Sequence, residues 1–346
     1  MQSSNELEKE KQLSVNITDK FISLSDLYDS AKFVPLENGE QCMIGYAKKT
    51  IEKNNNIFLF DKEPYPSIKV FSSNGKYIRS IGRIGHGKGE YVDIDDFTIS
   101  SNGDTIFVLC NNIIFAYNKN NIFLFSKDIN IDGIVRRFEC CNRGYVCLTE
   151  YKGNDYLLHF MDYNFNVKKE LISSDGKIIK EPSEVIYPIQ IDGEKVWYYN
   201  CFNSKFYVIN TNDNYNVVSY KINTKDAYKL EQFENYTFTS QYDAVTNYFV
   251  VNGKIFGTFH SAINGENPFL WDINCNEIVT RKPDKWIPHI KAVQTDYYYS
   301  ILEQDVFLRL SKQMAHLKKF NNNYFDIYSD ITEKNNFILV KLYPKK

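Results

Sequence analysis

Six short apolar runs, each preceded by a polar turn, recur along the chain: Ile57-Phe-Leu-Phe60, Ile106-Phe-Val-Leu109, Tyr145-Val-Cys-Leu148, Val196-Trp-Tyr-Tyr199, Ile255-Phe-Gly-Thr258 and Phe337-Ile-Leu-Val340. Their starts lie 49, 39, 51, 59 and 82 residues apart. That spacing suits the blades of a β-propeller and exceeds the roughly 20 to 35 residues of helical solenoid repeats. In the first five units a second strand, a polar turn and a third strand follow, as in Ile68-Lys-Val-Phe71, Ser73-Asn-Gly-Lys76 and Tyr77-Ile78. Asn, Asp and Gly tolerate positive φ, so clusters of them between apolar runs are hairpin turns.

Composition agrees. Aromatic residues make up 16% of the 346, with Tyr 26 and Phe 25 against Met 4. Aromatic side chains fit a pleated, half-buried surface better than a helix. A formal charge of -2 carries no footprint of nucleic-acid binding. The seven cysteines contain no C-x-x-C, which argues against structural zinc, and Cys110 and Cys147 fall in apolar runs as small buried hydrophobes. The vicinal pair Cys140-Cys141 reads as a strand end rather than a redox couple.

The sixth unit has one strand and then stops at Pro344-Lys-Lys346. Phe21-Ile-Ser-Leu24 and Phe33-Val-Pro-Leu36 are therefore expected to pair with the C-terminal blade and remove exposed sheet edges. One segment breaks the β rhythm. Between Glu303 and Phe320, Val306, Phe307, Leu310, Met314 and Leu317 fall at helical spacing. They predict a helical insertion before the last blade, packed on its rim, with a partner-binding or membrane-surface helix as the other reading.

Between Ile81 and Ser100 stand Gly82, Gly85, Gly87 and Gly89, then an acidic run, then an alternating strand. A phosphate-binding loop would need G-x-G-x-x-G or G-x-x-x-x-G-K-[ST] spacing, which is absent, and Asp93, Asp95 and Asp96 would repel phosphate. The run from Lys69 to Gly82, followed by Gly85-His-Gly-Lys-Gly-Glu-Tyr91 and Asp95-Asp-Phe97, resembles the signature of six-bladed β-propellers of the NHL-like type. The resemblance is to the branch found as exported proteins, often lipoproteins, in Bacteroides-like bacteria. Ser72 and Lys88 depart from it, standing where that branch carries Asp and Pro. The match is specific over one blade and continues elsewhere as repeat rhythm.

What this resemblance implies is a fold and a compartment. The polar opening, residues 1–19, is expected to be a disordered tether, and residues 20–346 the propeller. Two readings of the start stay open. Either a signal, and with it a lipid-modified Cys just before Gln2, has been removed, giving a periplasmic or outer-membrane-attached protein, or the written start is native and the protein cytoplasmic. No run approaches the roughly 18 apolar residues of a membrane span.

Propeller ligands usually meet loops converging on the central funnel. Arg83, His86, Glu90 and Asp95 are the candidate ligand-binding residues of the glycine stretch, with Tyr242 and His260 from the fifth unit. Asp93, Asp95 and Asp96 would allow calcium, but the D-x-[DN]-x-[DN]-G loop is missing; the alternative is that these carboxylates satisfy backbone amides. Trp197, Tyr198, Tyr199, Trp271, Trp286 and Tyr297-Tyr-Tyr299 are candidate aromatic platforms for sugars or peptides, and alternation requires at least one of the three tyrosines to be exposed. No catalytic constellation or metal-ligand motif emerges: there is no G-x-S-x-G and no H-E-x-x-H.

The sequence therefore reads as an all-β, six-bladed β-propeller closed by N- and C-terminal strands. The expected function is a non-catalytic scaffold at the cell envelope that binds a glycan, peptide or envelope protein through the funnel. The alternative is a propeller hydrolase or lyase with a metal ion there.

Overall fold

The computed structural model describes residues 9–150, 156–173, 188–201, 203–224, 243–251, 253–261, 265–283, 290–294, 297–311 and 337–344. The chain opens with β1 (Lys9–Ile22), a single helical turn α1 (Leu24–Leu27) and β2 (Tyr28–Pro35). Strands then come in fours. The first set is β3 (Ala47–Lys53), β4 (Asn56–Asp61), β5 (Ser67–Ser72) and β6 (Tyr77–Ile81). The second is β7 (Asp96–Ile99), β8 (Thr105–Cys110), β9 (Ile113–Asn118) and β10 (Phe123–Asp128). Next are β11 (Ile134–Cys141), β12 (Gly144–Glu150), β13 (Tyr156–Met161) and β14 (Val167–Ser173). They are followed by β15 (Ile189–Asp192), β16 (Lys195–Asn200), β17 (Lys205–Asn210) and β18 (Asn216–Asn223). Then come β19 (Ala244–Val251), β20 (Lys254–Ser261), β21 (Gly265–Asp272) and β22 (Glu277–Pro283). The chain ends with β23 (Ala292–Val293), β24 (Tyr298–Glu303), the helix α2 (Gln304–Ser311) and β25 (Phe337–Pro344). All six apolar runs lie in strands: β4, β8, β12, β16, β20 and β25.

Two compact units divide the chain: Met1–Ile22 with Cys141–Asp284, and Ser23–Cys140 with Lys285–Lys346. In the first, β15 to β18 and β19 to β22 are antiparallel sets joined through β1 into a sheet ordered β15-β16-β17-β18-β1-β22-β21-β20-β19. Parallel pairing sets Lys9 opposite Val218 and Ser14 opposite both Asn223 and Glu277. Residues 9–19, expected as a tether, are thus part of a strand. Leu13, Val15 and Ile17 alternate along it; Leu13 is fully buried in the cluster that contains Trp197 and Trp271, and Val15 and Ile17 pack against that cluster. Without β1, the edges of β18 and β22 would be open to pairing with another chain.

In the second unit the sheets run β2-β25-β24-β23, β3-β4-β5-β6 and β10-β9-β8-β7. Phe33 of β2 faces Val340 of β25, so the expected pairing of N- and C-terminal segments holds for this strand. It does not hold for Phe21, which lies on β1 opposite Lys282. The helix α2 covers the start of the expected helical segment, and Phe307 packs edge-on against Phe33; residues 312–320 lie outside the described residues. Because β24 and β25 are paired neighbours, α2 sits inside the last set of strands rather than before it.

The apolar runs are continuous rather than alternating because these sheets are covered on both faces. On β4, Ile57 and Leu59 join a buried cluster with Val34, Leu339 and Tyr299, whereas Phe58 and Phe60 join another with Phe97, Ile106 and Val108. Successive side chains point to opposite faces, and here both faces are core. Burying each such side chain contributes about 1.5–3 kcal/mol.

Candidate functional site

β3 and β7 are edge strands of their sheets, and with β11 they carry a charged cluster within the second unit. At its centre is Lys49, almost wholly buried. Its Nζ donates to Asp96 Oδ1 at 2.9 Å, to the Phe97 carbonyl at 2.7 Å and to Glu139 Oε1 at 2.6 Å. An ammonium has three protons, and all three are used. The carboxylates are satisfied as well. Asp96 Oδ2 accepts the Phe138 amide at 2.9 Å and Glu139 Oε2 accepts the Thr98 hydroxyl at 3.0 Å.

Burial alone would push the Lys49 ammonium down, but the charges of Asp96 and Glu139 outweigh it and hold it above its ordinary value. Glu139 is raised, first by burial and then by the Asp96 charge, against the pull of Lys49. Beside them Asp95 accepts from Arg136 Nη1 at 3.0 Å and from the Asn111 amide at 2.8 Å, while Lys48 Nζ donates to the Asp95 carbonyl at 3.1 Å. Two further buried pairs complete the pattern: Lys341 with Glu52 at 2.9 Å and Lys69 with Asp61 at 2.6 Å. Charged residues at the ends of and inside strands, Asp96 of the acidic run among them, do not show in the sequence which of them pair.

The glycine stretch is a framework first. Gly82 has φ +60, and a side chain there would sit 2.5 Å from the Tyr91 ring and 2.7 Å from the Tyr117 hydroxyl. Gly89, at φ +73, lies equally close to the Phe123 ring. Only glycine suits both the backbone and the space. The Tyr91 hydroxyl donates to the Ile81 carbonyl at 2.6 Å and the Tyr117 hydroxyl to the Gly89 carbonyl at 2.9 Å, tying both ends of the loop.

Among the expected site residues, Arg83 and Glu90 are brought together as an ion pair. Glu90 Oε2 also accepts the Gly87 amide at 2.8 Å; that bond and then Arg83 hold its carboxyl below the usual range. His86 is exposed at the tip of the loop. Asp95 is committed to Arg136 and Asn111, away from the loop tip. His260 belongs to the other compact unit, on β20 opposite Glu266. Tyr242 and Trp286 lie outside the described residues.

Most of the expected aromatic platforms are core. Trp197 and Trp271 pack edge-on, and both are fully buried; Tyr198 and Tyr199 are buried too. Tyr298 and Tyr299 are also both buried, and Tyr297 is half-buried with its hydroxyl on Lys341. None of the three is exposed: Tyr298 and Tyr299 lie on β24, between β23 and β25, and are buried on opposite faces, and Tyr297, just before the strand, is held by Lys341. The exposed aromatics are elsewhere, Tyr46 and Tyr65 among them. None of the seven cysteines is in a disulfide, and Cys110 and Cys147 are buried as expected.

Among the described residues no group of three or more His, Cys, Asp or Glu is placed to hold a metal ion, and no helix is long and apolar enough to cross a membrane. A family model described as "Domain of unknown function (DUF4934)" matches residues 12–343. The chain belongs to this DUF4934 family. The matched span opens inside β1 and closes inside β25, so the terminal strands are part of the family's domain.

Solved structures extend the comparison. A "Putative exported protein" from Bacteroides fragilis NCTC 9343 aligns with a TM-score of 0.71 at 18% identity, over 97% of this chain and 100% of that one. A member of the DUF4221 family from Bacteroides vulgatus ATCC 8482 aligns at 0.54 with 10% identity, over 92% and 99%. The RRP9 WD40 repeats align at 0.50 with 10% identity, over 92% and 99%. At such identities the likeness is one of fold, and the fold of this DUF4934 chain is propeller-like. No curated protein matches the sequence.

Proposed function

We propose that the chain is a non-catalytic binding scaffold of the cell envelope, built as six blades of the NHL-like type and closed by the pairing of β2 with β25. The observation that carries this reading is the internal neutralisation of the edge-strand charges. Asp95, Asp96, Glu139 and Glu52 each answer to a Lys or Arg of the same unit, leaving none of these carboxylates free to ligate an ion or activate a nucleophile. The likeness in fold to the RRP9 WD40 repeats is consistent with the same class.

The envelope location rests on the exported description of the Bacteroides fragilis relative and on the sequence resemblance; a lipid anchor ahead of β1 is part of the proposal. Arg83 and His86 are exposed side chains of the glycine loop and are proposed as ligand contacts in the second compact unit; Tyr242 and His260 are proposed separately as contacts in the first. Glycan, peptide or envelope protein are the partner classes.

Binding and turnover separate scaffold from enzyme. The intact chain is incubated with envelope polysaccharide and peptide fractions, and the retained ligand is recovered and sized. Ligand returned intact supports the scaffold; cleaved ligand would establish the hydrolase or lyase instead.

A further inference from the structure

The loop before β3 and the loop between β4 and β5 are bound to each other. The Lys62 amide donates to the Tyr46 carbonyl at 2.9 Å. Gly45 lies flat on the second loop, where an added side chain would meet the Glu63 carbonyl at 2.1 Å. Beneath them sits Asp61, buried, whose Oδ1 accepts the Gly45 amide at 3.1 Å and the Tyr46 amide at 2.8 Å. Its other oxygen is held by Lys69 Nζ, which also donates to Ser67 Oγ at 2.7 Å. A buried ion pair thus fixes the backbone at Gly45 and Tyr46, and Tyr65 stands in the loop that Lys62 ties to Tyr46.

The side chains of Met43, Tyr46 and Tyr65 are exposed by 55%, 48% and 78%. Tyr46 and Tyr65 have neither a ring contact nor a hydrogen bond on the hydroxyl. Tyr163, as exposed as they are, shows the contrast: its ring meets Tyr145 and its hydroxyl donates to the Asn142 carbonyl. Two unengaged phenols on loops bonded to each other, one of them on backbone held by a buried carboxylate, suit a contact surface because less ordering remains to be done on binding. Lys62 and Glu63, just before Tyr65, are exposed and make no side-chain bonds, so this pair offers one charge of each sign.

We propose that Tyr46 and Tyr65 form a stacking platform for the rings of a neutral oligosaccharide. A pyranose presents a face of C–H bonds to an aromatic ring and a rim of hydroxyls to polar groups. Tyrosine matches it with an apolar body and a wet tip, and Lys62 and Glu63 supply a donor and an acceptor at the rim. An anionic or cationic ligand would meet one unfavourable partner for each favourable one. This site rests on the scaffold reading and assigns it a ligand class.

Calorimetric titration of the intact chain with maltohexaose, cellohexaose, xylohexaose and mannohexaose tests it, with decaproline as a peptide arm. At least one sugar is expected to bind, with affinity falling about tenfold in Tyr46→Ala or Tyr65→Ala and unchanged in Tyr163→Ala. Gly45→Ala, which forces the two loops apart, is expected to weaken binding with both tyrosines intact; its melting profile reports whether the fold is retained. Sugar binding that survives loss of both tyrosines overturns the platform but leaves the scaffold standing. Silence of all four sugars, or decaproline binding that depends on the two tyrosines, overturns the carbohydrate assignment.

Discussion

Lys49 on β3 and Glu139 on β11, 90 residues apart in sequence, meet at 2.6 Å between Nζ and Oε1. With Asp96 they make a group of two carboxylates, Asp96 buried and Glu139 half-buried, around one buried ammonium. Removing the ammonium should cost far more than removing one carboxylate charge. Lys49→Met leaves both carboxylates uncompensated, Asp96 fully buried among them, and is expected to destabilise the chain by about 3–5 kcal/mol in urea unfolding.

Glu139→Gln tests the same group through pH. Because the folded carboxyl is raised by burial and by Asp96, the native state holds more protons than the unfolded chain above the ordinary carboxylate value near 4.3. Stability from this group therefore falls as pH rises from about 4.3 through the folded value. Unfolding measured between pH 4 and 8 should show that slope in the native chain and a shallower one in Glu139→Gln.

His159 gives the opposite slope. Its ring is buried, with Nδ1 3.1 Å from Glu170 Oε1; burial pushes it below its ordinary value although Glu170 pulls the other way. The unfolded chain then takes up the proton first, so stability is lost as pH falls below about 6.5 towards the folded value. In His159→Gln that loss should disappear, as followed by urea unfolding at pH 5 and 7.5.

Leu13 reports on β1. It is fully buried, so Leu13→Ala should cost about 2–5 kcal/mol, whereas a residue on a tether would cost nothing. Deleting residues 1–22 should open the edges of β18 and β22 and produce concentration-dependent association, read by light scattering.

The strands and hairpins were legible because their signals are local. Asn54, Asn55, Asn111, Asn112, Asn121 and Gly75 all adopt the positive φ that their turn positions call for. Leu13, Val15 and Ile17 alternated in the sequence too, but the charged start at Lys9-Glu-Lys-Gln12 made a polar tether the simpler reading. The helix was visible in its spacing and misplaced within the last set, since only the pairing of β24 with β25 shows which strands it separates.

The charged cluster was not legible at all. Lys49, Asp96 and Glu139 come from three strands of different sets, and nothing near each of them in sequence marks its partners. For the glycine stretch the alternative reading was right for Glu90, which binds the Gly87 amide. Tyr46 and Tyr65 were passed over because single tyrosines in turns resemble ordinary surface residues; what singles them out is an exposed ring with no ring contact and no hydroxyl bond, a property only coordinates hold.

Thermal unfolding of the intact chain in calcium and in chelator tests the central claim most directly, namely that these charges are satisfied by one another and the chain is a binding scaffold. Coincident midpoints, with Lys49→Met lowered equally in both, are the expected result. A midpoint raised by calcium and lowered by chelator would contradict it and make the metal-dependent enzyme the better account, since an ion that binds the native state must stabilise it.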